Sequence, residues 1–111
     1  MNPQKFIEHL CSLDLENTFN PYSNHCNVYD CIDAPNHRKK ALLAILKKAI
    51  KSDIDSIWVG RDLGYRGGRR TGLALTDEAH IQAHAARWEV SITHPTRGDM
   101  VRERTAAVIW K

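Results

Sequence analysis

Missing from this chain is any long apolar run: no hydrophobic stretch approaches the roughly 18 residues of a membrane span. Its first residues, Met1-Asn2-Pro3-Gln4-Lys5, contain no apolar segment of the kind that directs secretion. A cytoplasmic protein without a membrane partner is therefore expected. Cysteine is sparse and odd in number (Cys11, Cys26 and Cys31), which in a chain without a secretion signal argues against a disulfide framework. Internal repeats and low-complexity tracts are also absent. Acidic residues are missing from His37 through Lys51, which leaves that stretch with charge of one sign. The net charge of +3 permits nucleic-acid binding without demanding it, so local clustering says more than the total.

What remains suits one small globular domain spanning residues 1–111, with 42% hydrophobic and 26% charged residues. Asn2 is a suitable N-cap and Pro3 a suitable first helical residue, and Phe6, Ile7, Leu10 and Leu13 recur at helical spacing, so a helix over about 3–13 is predicted. Residues 15–35 are rich in Asn, Asp, Pro and Ser and read as a long irregular connection, a length that in a small domain points to function or disorder. Asp33-Ala34-Pro35 starts a second helix with Leu42, Leu43, Ile45, Leu46, Ala49 and Ile50 as its apolar face. Arg38, Lys39, Lys40, Lys47, Lys48 and Lys51 decorate the rest, as a solvated face or as a surface for phosphates. Thr76 is placed to cap a third helix reaching about Arg87, with Asp77 and Glu78 in its first turn. Val90–Thr93 reads as a short strand and Met100–Lys111 as a helix. Trp58 and Trp110 are expected in the core.

The densest chemistry follows the apolar run Ile57-Trp58-Val59, which reads as a buried strand. It leads into Gly60-Arg61-Asp62-Leu63-Gly64-Tyr65-Arg66-Gly67-Gly68-Arg69-Arg70-Thr71-Gly72. In α/β proteins a strand delivers residues to its carboxyl end and a loop wraps the ligand there. Glycine lets backbone approach a ligand closely, and arginine offers planar, permanently charged donors for phosphate oxygens. Asp62 is the only carboxylate of the loop. No Gly-Lys-Ser/Thr follows, so the loop is not a P-loop.

The stretch from Trp58 to Thr76 resembles the first active-site motif of the uracil-DNA glycosylase superfamily. It is most similar to a branch whose strand ends in Gly-Glu-Ala-Pro-Gly-Tyr-Arg-Gly and continues to Thr-Gly-x-Pro-Phe-Thr. Phe19-Asn20-Pro21-Tyr22 before a basic helix, and Glu103-Arg104-Thr105-Ala106-Ala107-Val108-Ile109-Trp110, resemble flanking segments of the same branch. The resemblance implies a three-layer α/β/α domain with a parallel sheet, of which this chain would be the N-terminal half. That agrees with an inventory of four helices and one confident strand, since a lone strand cannot satisfy its own backbone. A second chain or a further copy completing the sheet is the corresponding partner expectation.

The activity implied is hydrolysis of the N-glycosidic bond of a uracil flipped out of DNA, in base-excision repair. Asp62 falls where the classical branch has its catalytic Asp. His94, in His94-Pro95-Thr96, has the chemistry of the second-motif histidine that stabilises the departing anion. Gly60, Arg61, Gly64, Tyr65, Arg66, Arg69, Arg70 and Leu75 are the implied substrate- and DNA-contacting positions, with uracil-containing DNA as partner. Arg61 stands where the nearest branch has Glu, Leu63 and Ala74 where it has Pro, and Leu75 where it has the base-stacking Phe. No metal or cofactor is expected for the chemistry; His25, Cys26 and Cys31 are a possible metal set, without a second Cys/His pair. The alternative is a catalytically inactive remnant that binds DNA or a protein.

Overall fold

The computed structural model describes residues 2–60 and 63–110. Among the described residues five helices form in chain order: α1 (Pro3–Ser12), α2 (Ala34–Ile50), α3 (Gly68–Thr71), α4 (Ile81–Arg87) and α5 (Arg104–Ile109). The start of α1 follows from its first two residues. The Asn2 side chain accepts the Lys5 N–H at 3.3 Å, and Pro3 occupies the first turn, where its missing N–H costs nothing. At the other end Asn20 donates to the Leu10 and Leu13 carbonyls at 2.8 and 3.0 Å, satisfying acceptors that a helix end leaves open. The same Asn20 accepts the Tyr22 N–H, so the 17–24 loop is pinned to the end of α1.

α2 begins where Asp33-Ala34-Pro35 predicts, but its buried stripe is rotated from the expected apolar face. Ala34, Arg38, Ala41 and Ile45 are the buried positions, a three- and four-residue spacing that contains a charge. Ala41 and Ile45 meet Leu73, Ile81, Ala85 and Ile92 in the main core, with Leu42, Trp88 and Val90 packed against it. Burying an aliphatic side chain such as Ile81 contributes about 1.5–3 kcal/mol.

The expected parallel sheet, and with it the three-layer α/β/α architecture, is not formed among the described residues. The single β-interaction among the described residues is an antiparallel bridge between Asp30 and Thr96. Ile57, Trp58 and Val59 are 83%, 65% and 88% exposed, and residues 53–60 make no backbone hydrogen bond to another described segment. The reason lies in strand physics. A helix closes its own hydrogen bonds, whereas a strand needs a neighbour, and no described segment lies alongside this one. Val90–Thr93 is likewise not a strand, and it contributes Ile92 to the core as irregular chain. Trp58 is correspondingly outside the core. The Cα radius of gyration of 13.4 Å nevertheless matches the ~13 Å of a packed chain of this length, because the long loops themselves fold onto α2 and α4. None of the described helices is long and apolar enough to cross a membrane.

Candidate nucleic-acid site beside the glycine loop

Residues 63–76 form a tight knot around α3, a single helical turn closed by Arg70 and Thr71 N–H groups on the Gly67 carbonyl and by Gly72 N–H on Gly68. Gly72 is left-handed (φ 78°), and a Cβ there would lie 2.7 Å from Cβ of Arg38. At Gly67 a Cβ would run into the Thr76 carbonyl and the Glu103 carboxylate, so the backbone passes where no side chain fits. Thr76 does not cap a helix. Its hydroxyl sits 2.7 Å from that of Thr71 and donates to the Leu73 carbonyl, and α4 starts only at Ile81.

Asp77 and Glu78 are buried anchors and not first-turn charges. Asp77 accepts the Glu103 N–H at 2.7 Å, the His80 N–H at 2.9 Å and a contact from His80 Nδ1 at 2.6 Å. Burial pushes its carboxyl up, but the Glu103 and His80 hydrogen bonds outweigh this and hold it below the usual carboxylate value. Glu78 accepts Arg70 Nε at 2.6 Å, the Val101 N–H at 3.1 Å and the Thr96 hydroxyl. Nothing in their spacing announces this role, since a Thr-Asp-Glu run reads as a helix start.

Arg38 ties the knot to the rest of the molecule. Fully buried, it pairs with buried Asp30 and donates to the Arg70 carbonyl at 2.9 Å and the Pro21 carbonyl at 3.2 Å. It therefore belongs to neither a solvated nor a phosphate-facing helix surface. Tyr22 completes the connection by donating its hydroxyl to the Gly72 carbonyl at 2.6 Å. Burial, followed by the nearby Cys11, pushes the Tyr22 hydroxyl up to about 12 despite Arg38, so it stays a donor.

Among the expected site residues, Arg61 and Asp62 lie outside the described residues. Gly60 is exposed, with the Leu75 side chain 3.7 Å from where its Cβ would stand. Gly64 packs against Glu103, and Tyr65 is exposed. Arg66 donates to the Arg102 carbonyl at 3.1 Å, and Arg70 is held by Glu78 with its guanidinium 4.0 Å from the Tyr29 ring centre. Arg69 lies 4.3 Å from the centre of Phe19. His94 leads into Pro95–Arg97, which bonds to the 29–31 turn through Cys31 N–H to Pro95 O and Arg97 N–H to Tyr29 O. That pairing draws the segment to Tyr29–Cys31, and no hydrogen bond joins His94 to the glycine loop among the described residues.

Two concavities flank the loop. The first, about 520 Å³, is lined by Asn17, Thr18, Phe19, Pro21, Leu63 and Arg69. The second, about 460 Å³, gathers all three tryptophans, Trp58, Trp88 and Trp110, with Leu75, His84 and Arg87 among its walls. Leu75 stands there in a left-handed backbone (φ 59°), costly for a non-glycine residue, with its carbonyl accepting Trp110 Nε1 at 2.6 Å. Leu75 and Arg69, both expected substrate contacts, thus face different cavities. Phe19, which lines the first cleft, was not among the expected contacts; its place before Asn20-Pro21 in a long loop was the available signal. For a metal, no group of three His, Cys, Asp or Glu side chains converges among the described residues. The His25 ring nitrogens lie 3.2 and 2.9 Å from Asn27 Oδ1 and the Cys31 carbonyl.

Compared with known proteins, the chain matches no protein-family model, no curated protein and no solved structure.

Proposed function

We propose that this chain is a uracil-DNA glycosylase-like protein, directed at the N-glycosidic bond of a uracil extruded from DNA. One observation carries the reading. The three segments that resemble that superfamily, 19–22, 58–76 and 103–110, are far apart in sequence, and the first and third are each tied to the second in space. Tyr22 and Pro21 reach Gly72 and, through Arg38, Arg70; Trp110 bonds Leu75, and the Glu103 carboxylate packs against Gly64 and Gly67. Such convergence is what a shared ligand site requires of distant loops. The proposal rests on this loop cluster and involves no parallel sheet.

In this reading Asp62 stabilises the developing sugar cation and orients the attacking water, while the arginine-rich loop holds the strand. A second reading, a non-catalytic DNA-binding module, is favoured by Leu75, which offers no aromatic face and lines a cavity separate from that of Arg69. The test is incubation of the purified chain with a uracil-containing single-stranded oligonucleotide, scoring alkali-labile sites and retention of the DNA. Abasic sites that fall by about 10²–10⁴-fold in Asp62→Asn, with retention preserved, are the expected result. Retention without any abasic site would instead establish the second reading.

A further inference from the structure

Among the described residues Arg38, Arg66, Arg69 and Arg70 surround the glycine loop, and three of them donate Nε to protein acceptors: Arg38 to the Arg70 carbonyl, Arg66 to the Arg102 carbonyl and Arg70 to Glu78. Arg69 is the exception. Its Nε is buried without a partner, and its guanidinium donates no hydrogen bond to any described residue. The Nε is enclosed, but Arg69 as a whole is only half-buried and lines an open cleft, so its terminal NH2 groups, which donate to no described residue, are the donors an external anion can reach. Phe19 fixes the group in place, with its ring centre 4.3 Å from the Arg69 guanidinium carbon. The opposite parts of the same cleft are apolar (Pro21, Leu63) or carry small polar groups (Asn17, Thr18). Its volume of about 520 Å³ lies in the range of pockets that hold a ligand of nucleotide size.

From this arrangement we infer that the Phe19–Arg69 cleft binds one nucleotide of single-stranded DNA, its base packed on the Phe19–Arg69 stack and its phosphate on the Arg69 guanidinium. The inference rests on the DNA-directed reading above but not on catalysis. Aromatic rings and arginine planes both serve as stacking platforms for unpaired bases, and a fixed guanidinium is suited to a phosphate. The loop that supplies Phe19 is anchored by Asn20 to α1 and by Tyr22 to Gly72, so the platform is rigid before the ligand arrives.

The experiment is fluorescence-anisotropy titration of the purified chain with a short labelled oligothymidylate lacking uracil, over a series of salt concentrations. Arg69→Gln is expected to weaken binding about tenfold and to flatten the log–log salt slope by about 0.7, the share of one phosphate contact on a single strand. Phe19→Leu keeps an apolar wall but removes the ring, and is expected to weaken binding at an unchanged slope. Arg69→Lys should retain the slope. Thermal melting by circular dichroism checks that each variant is folded. Independently of any variant, thymidine 5′-monophosphate should displace the oligonucleotide from the unaltered chain at concentrations where inorganic phosphate does not. Failure of the chain to bind, wild-type affinity in either Arg69→Gln or Phe19→Leu, or equal displacement by phosphate overturns the inference. The two proposals fail separately. Asp62-dependent abasic sites with Arg69→Gln binding unchanged would retain the glycosylase reading and discard the cleft, and Arg69-dependent binding without abasic sites would do the reverse.

Discussion

Replacing Arg38 by methionine removes a fully buried guanidinium and keeps most of the volume of its stem. Its partner Asp30 is equally buried and would retain one other donor, the Cys26 N–H at 2.9 Å. The carbonyls of Arg70 and Pro21 would lose their Arg38 donors as well. Breaking a buried pair from one side costs about 3–5 kcal/mol, because the surviving charge stays desolvated. For a chain of this length 1 kcal/mol corresponds to about 4 °C in melting temperature, so Arg38→Met is expected to melt roughly 12–20 °C lower. Removing both charges is a different perturbation. Arg38→Met with Asp30→Leu leaves no ion to desolvate and should recover a large part of the loss. Exposed positions of the same basic helix, Lys40→Met and Lys48→Met, should stay within about 0.5 kcal/mol of the parent. Urea denaturation and thermal melting followed by circular dichroism measure all four. An Arg38→Met variant as stable as Lys48→Met, or a double variant no more stable than Arg38→Met, would refute the assignment of Arg38 as the tie between α2, the 21–30 region and the glycine loop.

Other consequences follow from single positions. Gly72 and Gly98 are both left-handed (φ 78° and 85°), but only at Gly72 would a Cβ meet Arg38, at 2.7 Å. Gly98→Ala should therefore cost only about the 1–2 kcal/mol of the backbone conformation, and Gly72→Ala clearly more, as judged by urea midpoints. Burial, and then Arg87, hold His84 below the ordinary histidine value, so the folded form favours the neutral ring. Its contribution is complete above the unfolded value of 6.5 and is lost as pH falls from there toward the folded value. The depressed Asp77 carboxyl acts in the same direction in a lower window, lost as pH falls from the ordinary value of 3.8 toward its folded one. Stability should thus decline in two acid phases, and His84→Gln should remove the upper one in pH-dependent melting. Burial pushes the Cys26 thiol up, but hydrogen bonding from the Tyr29 and Val28 backbone outweighs it and leaves the thiol below its usual value. Iodoacetamide followed by mass mapping should label Cys26 ahead of Cys11 and Cys31 at neutral pH.

Part of the site is legible in the sequence. The loop from Gly60 to Gly72 announces close backbone approaches, and the knot at Gly67 and Gly72 uses them. The roles of the charged residues were not legible. Arg69 and Arg70 are neighbours of the same type, yet Glu78 accepts from one and nothing described accepts from the other. Arg38 sits in a run of basic residues and is the one that is buried. Asp77 and Glu78 resemble a helix start and instead receive donors from residues up to 26 positions away. Such assignments depend on which distant donor arrives, and a local pattern carries no record of that.

By itself the sequence determined the elements whose hydrogen bonds are local. Asn2 and Pro3 set the start of α1, and Pro35 in the first turn together with an uninterrupted run of helix formers set α2. Tertiary structure decided everything that needs a partner across the chain. It left Ile57–Val59 an exposed segment without regular structure, because a strand without a neighbour has nowhere to place its backbone hydrogen bonds. It delayed α4 to Ile81 by using Thr76, Asp77 and Glu78 to bind the glycine loop, the 96–101 chain and the start of α5. It also brought Phe19 against Arg69, 50 residues later, where an aromatic ring and an unpartnered guanidinium share one cleft.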